Sequence, residues 1–202
     1  MELKERIIIE TETLFKQFGI KSMTMDDIAR HLSISKKTIY TFFKDKDELV
    51  LETMHNAIYC DKCEIEANLT NSKNAVHEIF ILKESMQKML SNMNVSIMND
   101  MQKYHPSSAK MYKQFKEEFV LQKVLKNLRR GIAEGLYRDD FDVEIIARLR
   151  IEIIDLTFNS IAFPPNKYTL NEISNQFTDH FLHGLVTLKG YKLINQYKKQ
   201  TP

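Results

Sequence analysis

Apolar residues recur at helical spacing through the first two thirds of the chain. Leu3, Ile7, Thr11, Leu14 and Phe18 stand four, four, three and four residues apart, flanked by Ile8 and Phe15. That spacing marks one face of a helix, which Gly19 is placed to end. Thr24-Met-Asp-Asp27 fits a capping box, with Ile28, Ala29 and Leu32 as the buried face of a short second helix. Ser33-Ile34-Ser35 is a tight connection, and Ser35 can cap a third short helix running to about Phe42. Asp45-Lys-Asp-Glu48 opens a fourth helix with Val50, Leu51, Met54, Ala57 and Ile58 on its stripe. The polar stretch Asn68–Asn74 reads as a loop. A fifth helix follows, with Val76, Ile79, Leu82, Met86, Met89, Leu90 and Met93 along one side. A short segment ends near His105-Pro106. Proline suits a first helical turn, so a long helix is predicted from there, carrying Met111, Phe115, Phe119, Leu125, Leu128 and Ile132 and stopping around Gly131–Gly135.

The last two predicted helices, Val143–Phe163 and Leu170–Leu188, are apolar on nearly every side and are separated by Pro164-Pro165. A helix apolar all round must be covered all round. Few helices remain to cover two of them, so a second subunit is the economical cover, and the alternative is a central helix buried within one monomer. Ile153, Ile161, Phe177, Phe181 and Leu185 are the expected interface residues.

Composition narrows the function. Hydrophobic residues make up 43% and charged residues 28% of 202, an ordinary globular balance, and 5 Gly with 4 Pro favour helix over sheet. The net charge of +2 makes any nucleic-acid contact a matter of a local patch. No apolar run approaches the roughly 20 residues needed to span a bilayer, and no basic-then-apolar leader is apparent, so a cytosolic protein without membrane contact is expected. Cys60 and Cys63 form a lone CxxC inside a helical pattern. A structural zinc site needs four ligands, so two ordinary reduced thiols are expected rather than a metal or redox centre. The six histidines show no ligand spacing, and no phosphate loop, HExxH or nucleophile elbow is present. No enzyme, metal or cofactor is predicted.

Positive charge gathers in one place. Residues 1–50 hold nine basic and nine acidic side chains, yet Ser33 to Lys46 holds Lys36, Lys37, Lys44 and Lys46 against Asp45 alone. Helix, three-residue turn and second helix over Thr24–Phe43 is helix-turn-helix spacing, in which the second helix enters the DNA major groove. Lys36, Lys37, Thr38, Tyr40 and Thr41 are expected outward, with Ile34, Ile39 and Phe43 anchoring the helix from behind. Lysines reach phosphates or guanine edges, and threonine methyls meet thymine methyls. Lys46 and the N-caps Thr24 and Ser35 are candidate phosphate contacts at helix starts.

The run Thr24-Met-Asp-Asp-Ile-Ala-Arg-His-Leu-Ser-Ile-Ser-Lys-Lys-Thr-Ile-Tyr-Thr-Phe-Phe-Lys-Asp-Lys-Asp-Glu-Leu49 resembles the N-terminal signature of the TetR (TetR/AcrR) family of bacterial regulators. Thr24, Ile28, Ala29, Ile34, Ser35, Thr38, Ile39, Tyr40, Phe43, Lys46 and Leu49 carry the match. Two positions depart from it. Ser33 replaces a glycine often found in the turn, and Lys37 stands where a small residue or proline is common. The resemblance implies an all-α fold: a three-helix helix-turn-helix domain over residues 1–46, then a larger helical ligand-binding and dimerisation domain over 47–202. About nine helices are expected, with dimerisation through a four-helix bundle of the last two long ones. It also implies a homodimeric repressor on a palindromic operator of double-stranded DNA, released by a small-molecule effector. The alternative is a DNA-binding factor without an effector, regulated by a protein partner or acting architecturally. Candidate pocket residues are Phe80, Met86, Met89, Met93, Tyr104, Phe115, Phe119, Glu152, Asp155 and Phe158, since methionines adapt to varied apolar shapes. The plainer reading is that these residues are core, and that Arg148 and Glu152 pair across one helical turn.

Overall fold

A computed structural model describes residues 1–199. Its helices start where short polar side chains can satisfy free backbone N–H groups: Thr24, Ser35, Asn74, Asp142, Thr169 and Thr187 all accept from the first turn that follows them. Eleven α-helices and one π-turn result, and among the described residues no strand forms beyond an isolated bridge between Tyr137 and Val186. No helix among them is long and apolar enough to cross a membrane.

The chain divides into two compact units. The first comprises Met1–Lys62 and Asn92–Phe115, so residues 1–46 lie wholly inside it. It contains α1 (Leu3–Phe18), α2 (Met25–Leu32), α3 (Lys36–Tyr40), the start of α4 (Lys46–Thr70), α6 (Ile97–Tyr104) and α7 (Pro106–Phe115). Ile7, Leu14, Phe15, Ile28, Leu32, Ile39, Phe43 and Leu49 fill its centre. Helix α6 is clasped onto the corner after α1. The Asp100 carboxylate accepts from Lys21 N–H at 2.9 Å, and Asn94 N–H donates to the Lys16 carbonyl at 2.6 Å. Gly19 makes this approach possible: its φ is +82°, and a Cβ there would lie 2.6 Å from Ser96 Oγ. Buried His105, at the α6–α7 corner, holds Asp47 of α4 at 2.7 Å.

The second unit comprises Cys63–Ser91 and Lys116–Pro202. Its helices are the rest of α4, α5 (Ala75–Leu90), α8 (Leu121–Ala133), α9 (Val143–Thr157), α10 (Leu170–Leu185) and α11 (Leu188–Lys198). Val76, Phe80, Leu125, Leu128, Ala147, Ile151, Leu182 and Ile194 are among the side chains of one shared core. Tyr137 is buried in it, and its hydroxyl lies 3.1 Å from both the Ala75 carbonyl and the Asn127 amide oxygen. Gly131 leaves room for that ring, since a Cβ there would meet it at 2.0 Å.

The count of about nine helices becomes eleven for two reasons. The predicted long helix from Pro106 is helical throughout, but a π-turn over Lys116–Val120 divides it into α7 and α8. The final predicted helix stops at Leu185, because Val186 turns extended to pair with Tyr137, and Thr187 then caps the additional α11. Helix α9 also ends earlier than predicted, at Thr157. The Asn159 side chain accepts from the N–H groups of Ile161 and Ala162, and so diverts the chain into turns before the prolines.

Two expected interface residues are core instead. Phe181 and Leu185 are 7% and 2% exposed and pack inside their own unit. Ile153 also packs on that core, and Phe177 is half-buried with its ring against Phe163 at 5.3 Å. The outward apolar residues of this region are Ile145, Leu149 and Leu156 on α9, with Ile161 after it.

Candidate nucleic-acid interface

Helix α2 ends with a left-handed residue at Ser33, φ 56° and ψ 39°. Ser33 N–H bonds the Arg30 carbonyl at 3.1 Å, and Ile34 N–H bonds the Ala29 carbonyl at 3.0 Å. This pair of bonds satisfies the last carbonyls of α2 and turns the chain sharply into α3. A serine there carries the strain that the sequence anticipates, because a Cβ disfavours left-handed angles. Ser33→Gly is therefore expected to stabilise the protein by about 0.5–1 kcal/mol, read as a higher urea midpoint at unchanged m-value. A lower midpoint would show that Ser33 is not strained.

The next residues build α3 outward from an anchored base. Ser35 Oγ accepts from Thr38 N–H at 3.0 Å and lies 2.7 Å from Thr38 Oγ1. Ile39 and Phe43 are essentially fully buried, and Ile34 is half-buried. They fix the helix from behind and leave Lys36, Lys37, Tyr40 and Thr41 exposed on the opposite side. Thr38 is half-buried.

Not every predicted contact residue offers a free group. Lys36 Nζ donates to Asp26 of α2 at 2.7 Å, and this bond raises its pKa. The pair is exposed, so it costs little to exchange for another anion. Thr24 is occupied as an N-cap: its hydroxyl lies 2.5 Å from Asp27 Oδ2 and accepts from Asp27 N–H at 3.2 Å. Lys46 departs most from expectation. Its ammonium donates to the Ile20 carbonyl at 2.6 Å and stands 5.9 Å from the Phe15 ring centroid. Burial pulls its pKa down, while Asp100 and Asp47 pull it back up. The lysine thus ties α4 to the corner after α1 rather than standing free at the helix start. Phe42, two residues after Tyr40, is a further outward aromatic at 37% exposure.

The predicted pocket residues are divided between the two units. Phe80 is core of the second unit, and Met86, Met89 and Phe158 are half-buried there. Met93 and Phe115 belong to the first unit. Tyr104 also belongs to that unit; it is 38% exposed, with Lys21 Nζ 5.2 Å and Lys103 Nζ 5.4 Å from its ring centroid, so it lines no interior cavity. Phe119 sits under Lys123 at 4.7 Å, Glu152 is exposed, and Asp155 is bonded to the buried Lys116. Arg148 pairs with Glu117 at 3.6 Å rather than with Glu152. A cleft of about 110 Å³ adjoins Phe80, and an open charged groove runs past Lys123, Lys126 and Arg129 on α8. Cys60 and Cys63 are exposed thiols on α4, and no cluster of metal-ligating side chains occurs among the described residues.

Residues 7–53 match the model of the bacterial regulatory proteins of the tetR family. An uncharacterized HTH-type transcriptional regulator of Bacillus subtilis, YvaF, is 30% identical over 186 residues, covering 91% of this chain and 95% of the relative. A Saccharomonospora viridis transcriptional regulator solved in complex with choline superposes with a TM-score of 0.72 at 18% identity, over 91% of this chain and 97% of that one. The Bacillus subtilis regulator FadR in complex with stearoyl-CoA gives 0.65 at 16%, over 89% and 98%. Similarity to YvaF extends over nearly the whole of both chains, and the match to the family model falls on the helix-turn-helix just described. The chain belongs to the TetR family of DNA-binding transcriptional regulators, which are not enzymes.

Proposed function

We propose that the protein is a homodimeric repressor of the cytoplasm that binds a palindromic operator and is released by a small-molecule effector held in its second unit. The observation that carries this reading is α3, anchored by Ile39 and Phe43 with Lys37, Tyr40 and Thr41 outward. In this reading α3 lies in the major groove. Lys36 exchanges Asp26 for phosphate, and Thr24 and Ser35 bring the N–H groups of their helix starts to the backbone. Lys46 acts indirectly, by holding α4 against the corner after α1.

The dimer reading rests on α9. Ile145, Leu149 and Leu156 are spaced four and seven apart and are 66%, 49% and 38% exposed. A two-fold axis would pair this stripe with its own copy and complete a four-helix bundle of α9 and α10 with their equivalents. The choline and stearoyl-CoA complexes of the similar regulators support effector control over the effector-free alternative. The cleft beside Phe80 is well below the roughly 300 Å³ of a drug-sized site, so an effector held there must displace side chains of its lining such as Lys83 and Gln87. Release follows when the effector binds the DNA-incompetent conformation better.

The test is selection of genomic fragments by the purified protein. The expected result is one enriched palindrome whose half-sites lie about 34–36 Å apart, or a multiple of that. Enrichment of no sequence over bulk DNA would rule out operator binding.

A further inference from the structure

The second unit contains five arginines, and four of them meet a carboxylate. Arg129 pairs with Glu144 at 2.8 Å, Arg130 with Glu134 at 2.7 Å, Arg138 with Asp140 at 2.8 Å and Arg148 with Glu117 at 3.6 Å. Arg150 is the exception. It projects from α9 towards α10, where Nη2 donates to the buried Thr178 hydroxyl at 3.1 Å and the guanidinium lies 5.1 Å from the Phe181 ring centroid. No carboxylate among the described residues comes within ion-pair distance of it.

None of the acids of α9 and α10 pairs with it. Asp155 on α9 is bonded to Lys116, and Asp179 on α10 is held by Lys83 and Lys198, each at 2.9 Å. Glu144 serves Arg129, and Glu152 is exposed. Arg150 is therefore a cation in a low-polarity setting with a hydroxyl and a ring face for company. Burial alone draws its pKa down to about 10, which still leaves it charged at neutral pH. A charge held largely away from water is disfavoured unless a counter-charge meets it. A planar guanidinium has five N–H donors in a fork that fits the two oxygens of a carboxylate or phosphate.

The geometry points to Arg150 as the anion anchor of the effector site, so that the effector is an organic anion: a carboxylate or phosphate carried on an apolar body. This rests on the effector-controlled reading above and narrows its chemistry. The anionic head takes the guanidinium donors of Arg150 that the Thr178 hydroxyl does not use, and the apolar body packs against Phe181 and the neighbouring core. Arg150 retains some exposure, which gives the head a way in.

The test compares one ten-carbon chain with four heads: decanoate, decyl phosphate, decan-1-ol and decyltrimethylammonium. Each is titrated calorimetrically into the intact protein and then into Arg150→Gln and Arg150→Lys. Wild type is expected to bind at least one of the two anions about tenfold or more tightly than decanol; which one identifies the head as carboxylate or phosphate. Arg150→Gln is expected to bring that ratio close to one, and Arg150→Lys to keep part of it. Equal binding of all four heads by wild type, or no binding, overturns the proposal whether or not the variants fold. An anion preference that survives in folded Arg150→Gln overturns it too. So does a dimer weakened about tenfold in Arg150→Gln by sedimentation, since Arg150 would then serve an acid of a second copy. Operator release by decyltrimethylammonium alone would leave effector control standing and remove the anion; absence of any selected operator would remove the broader reading by itself.

Discussion

Replacing Lys37 and Tyr40 together with alanine is expected to lower operator affinity about 1,000-fold without changing the fold. Both side chains stand outward, Tyr40 at 45% exposure, and Lys37 makes no ion pair among the described residues. Removing them leaves Ile39 and Phe43 in place, so the helix keeps its anchor. Each lost contact costs about 1 kcal/mol, and a two-fold dimer loses four, about 4 kcal/mol in all. At about 1.4 kcal/mol per tenfold that is close to three orders of magnitude. Losing one phosphate neutralisation per protomer should also flatten the slope of log affinity against log salt by about two. The check is a titration of the selected operator at several salt concentrations, with circular dichroism to confirm helix content. Undiminished affinity in a folded double variant would move recognition off α3.

The DNA-facing unit was legible because its signals are local. Thr24 and Asp27 cap each other within four residues, Ser35 caps α3, and Asp45 Oδ1 accepts from Glu48 N–H at 2.9 Å at the start of α4. Gly19 and Ser33 mark sharp turns by backbone angles that sequence can anticipate. What the sequence hid lies in the tertiary arrangement. The ammonium of Lys46 turns inward because the Ile20 carbonyl lies within its reach, a contact across 26 residues. Helix α9 reads as apolar on every side, so its pattern does not say which face is core. Packing chose Ala147 and Ile151 for the interior and left Ile145 and Leu149 outside. The same ambiguity on α10 put Phe181 and Leu185 at an expected interface, whereas they fill the core of their own unit. Helix α11 escaped because its start depends on Thr187 following an extended Val186, and that break is set by the bridge to Tyr137. The isolation of Arg150 follows from the tertiary placement of the acids of α9 and α10, Asp155 and Asp179 among them, on other cations, which no local pattern records.

Substituting Ile145 and Leu149 with glutamate is expected to convert the protein to a monomer and to lower operator affinity by about two to three orders of magnitude. Both positions are open to solvent within the protomer, so charge there costs the monomer fold little. At a two-fold seam each substitution occurs twice. Four apolar side chains leave the interface, each a loss on the order of 1 kcal/mol or more, and four carboxylates of one sign must be desolvated against one another. The DNA consequence follows from geometry rather than from any change in α3. A preformed dimer delivers its second recognition helix at high effective concentration beside the first, and a monomer must bind each half-site independently. Sedimentation at micromolar concentration reads the first effect, and titration of full and half operators reads the second. The half-operator is expected to bind wild type and variant protomers alike, because the reading helix is untouched. A variant that sediments as a dimer would place the subunit seam away from the outer stripe of α9, and an unchanged full-operator affinity would mean that the two heads do not act as a pair.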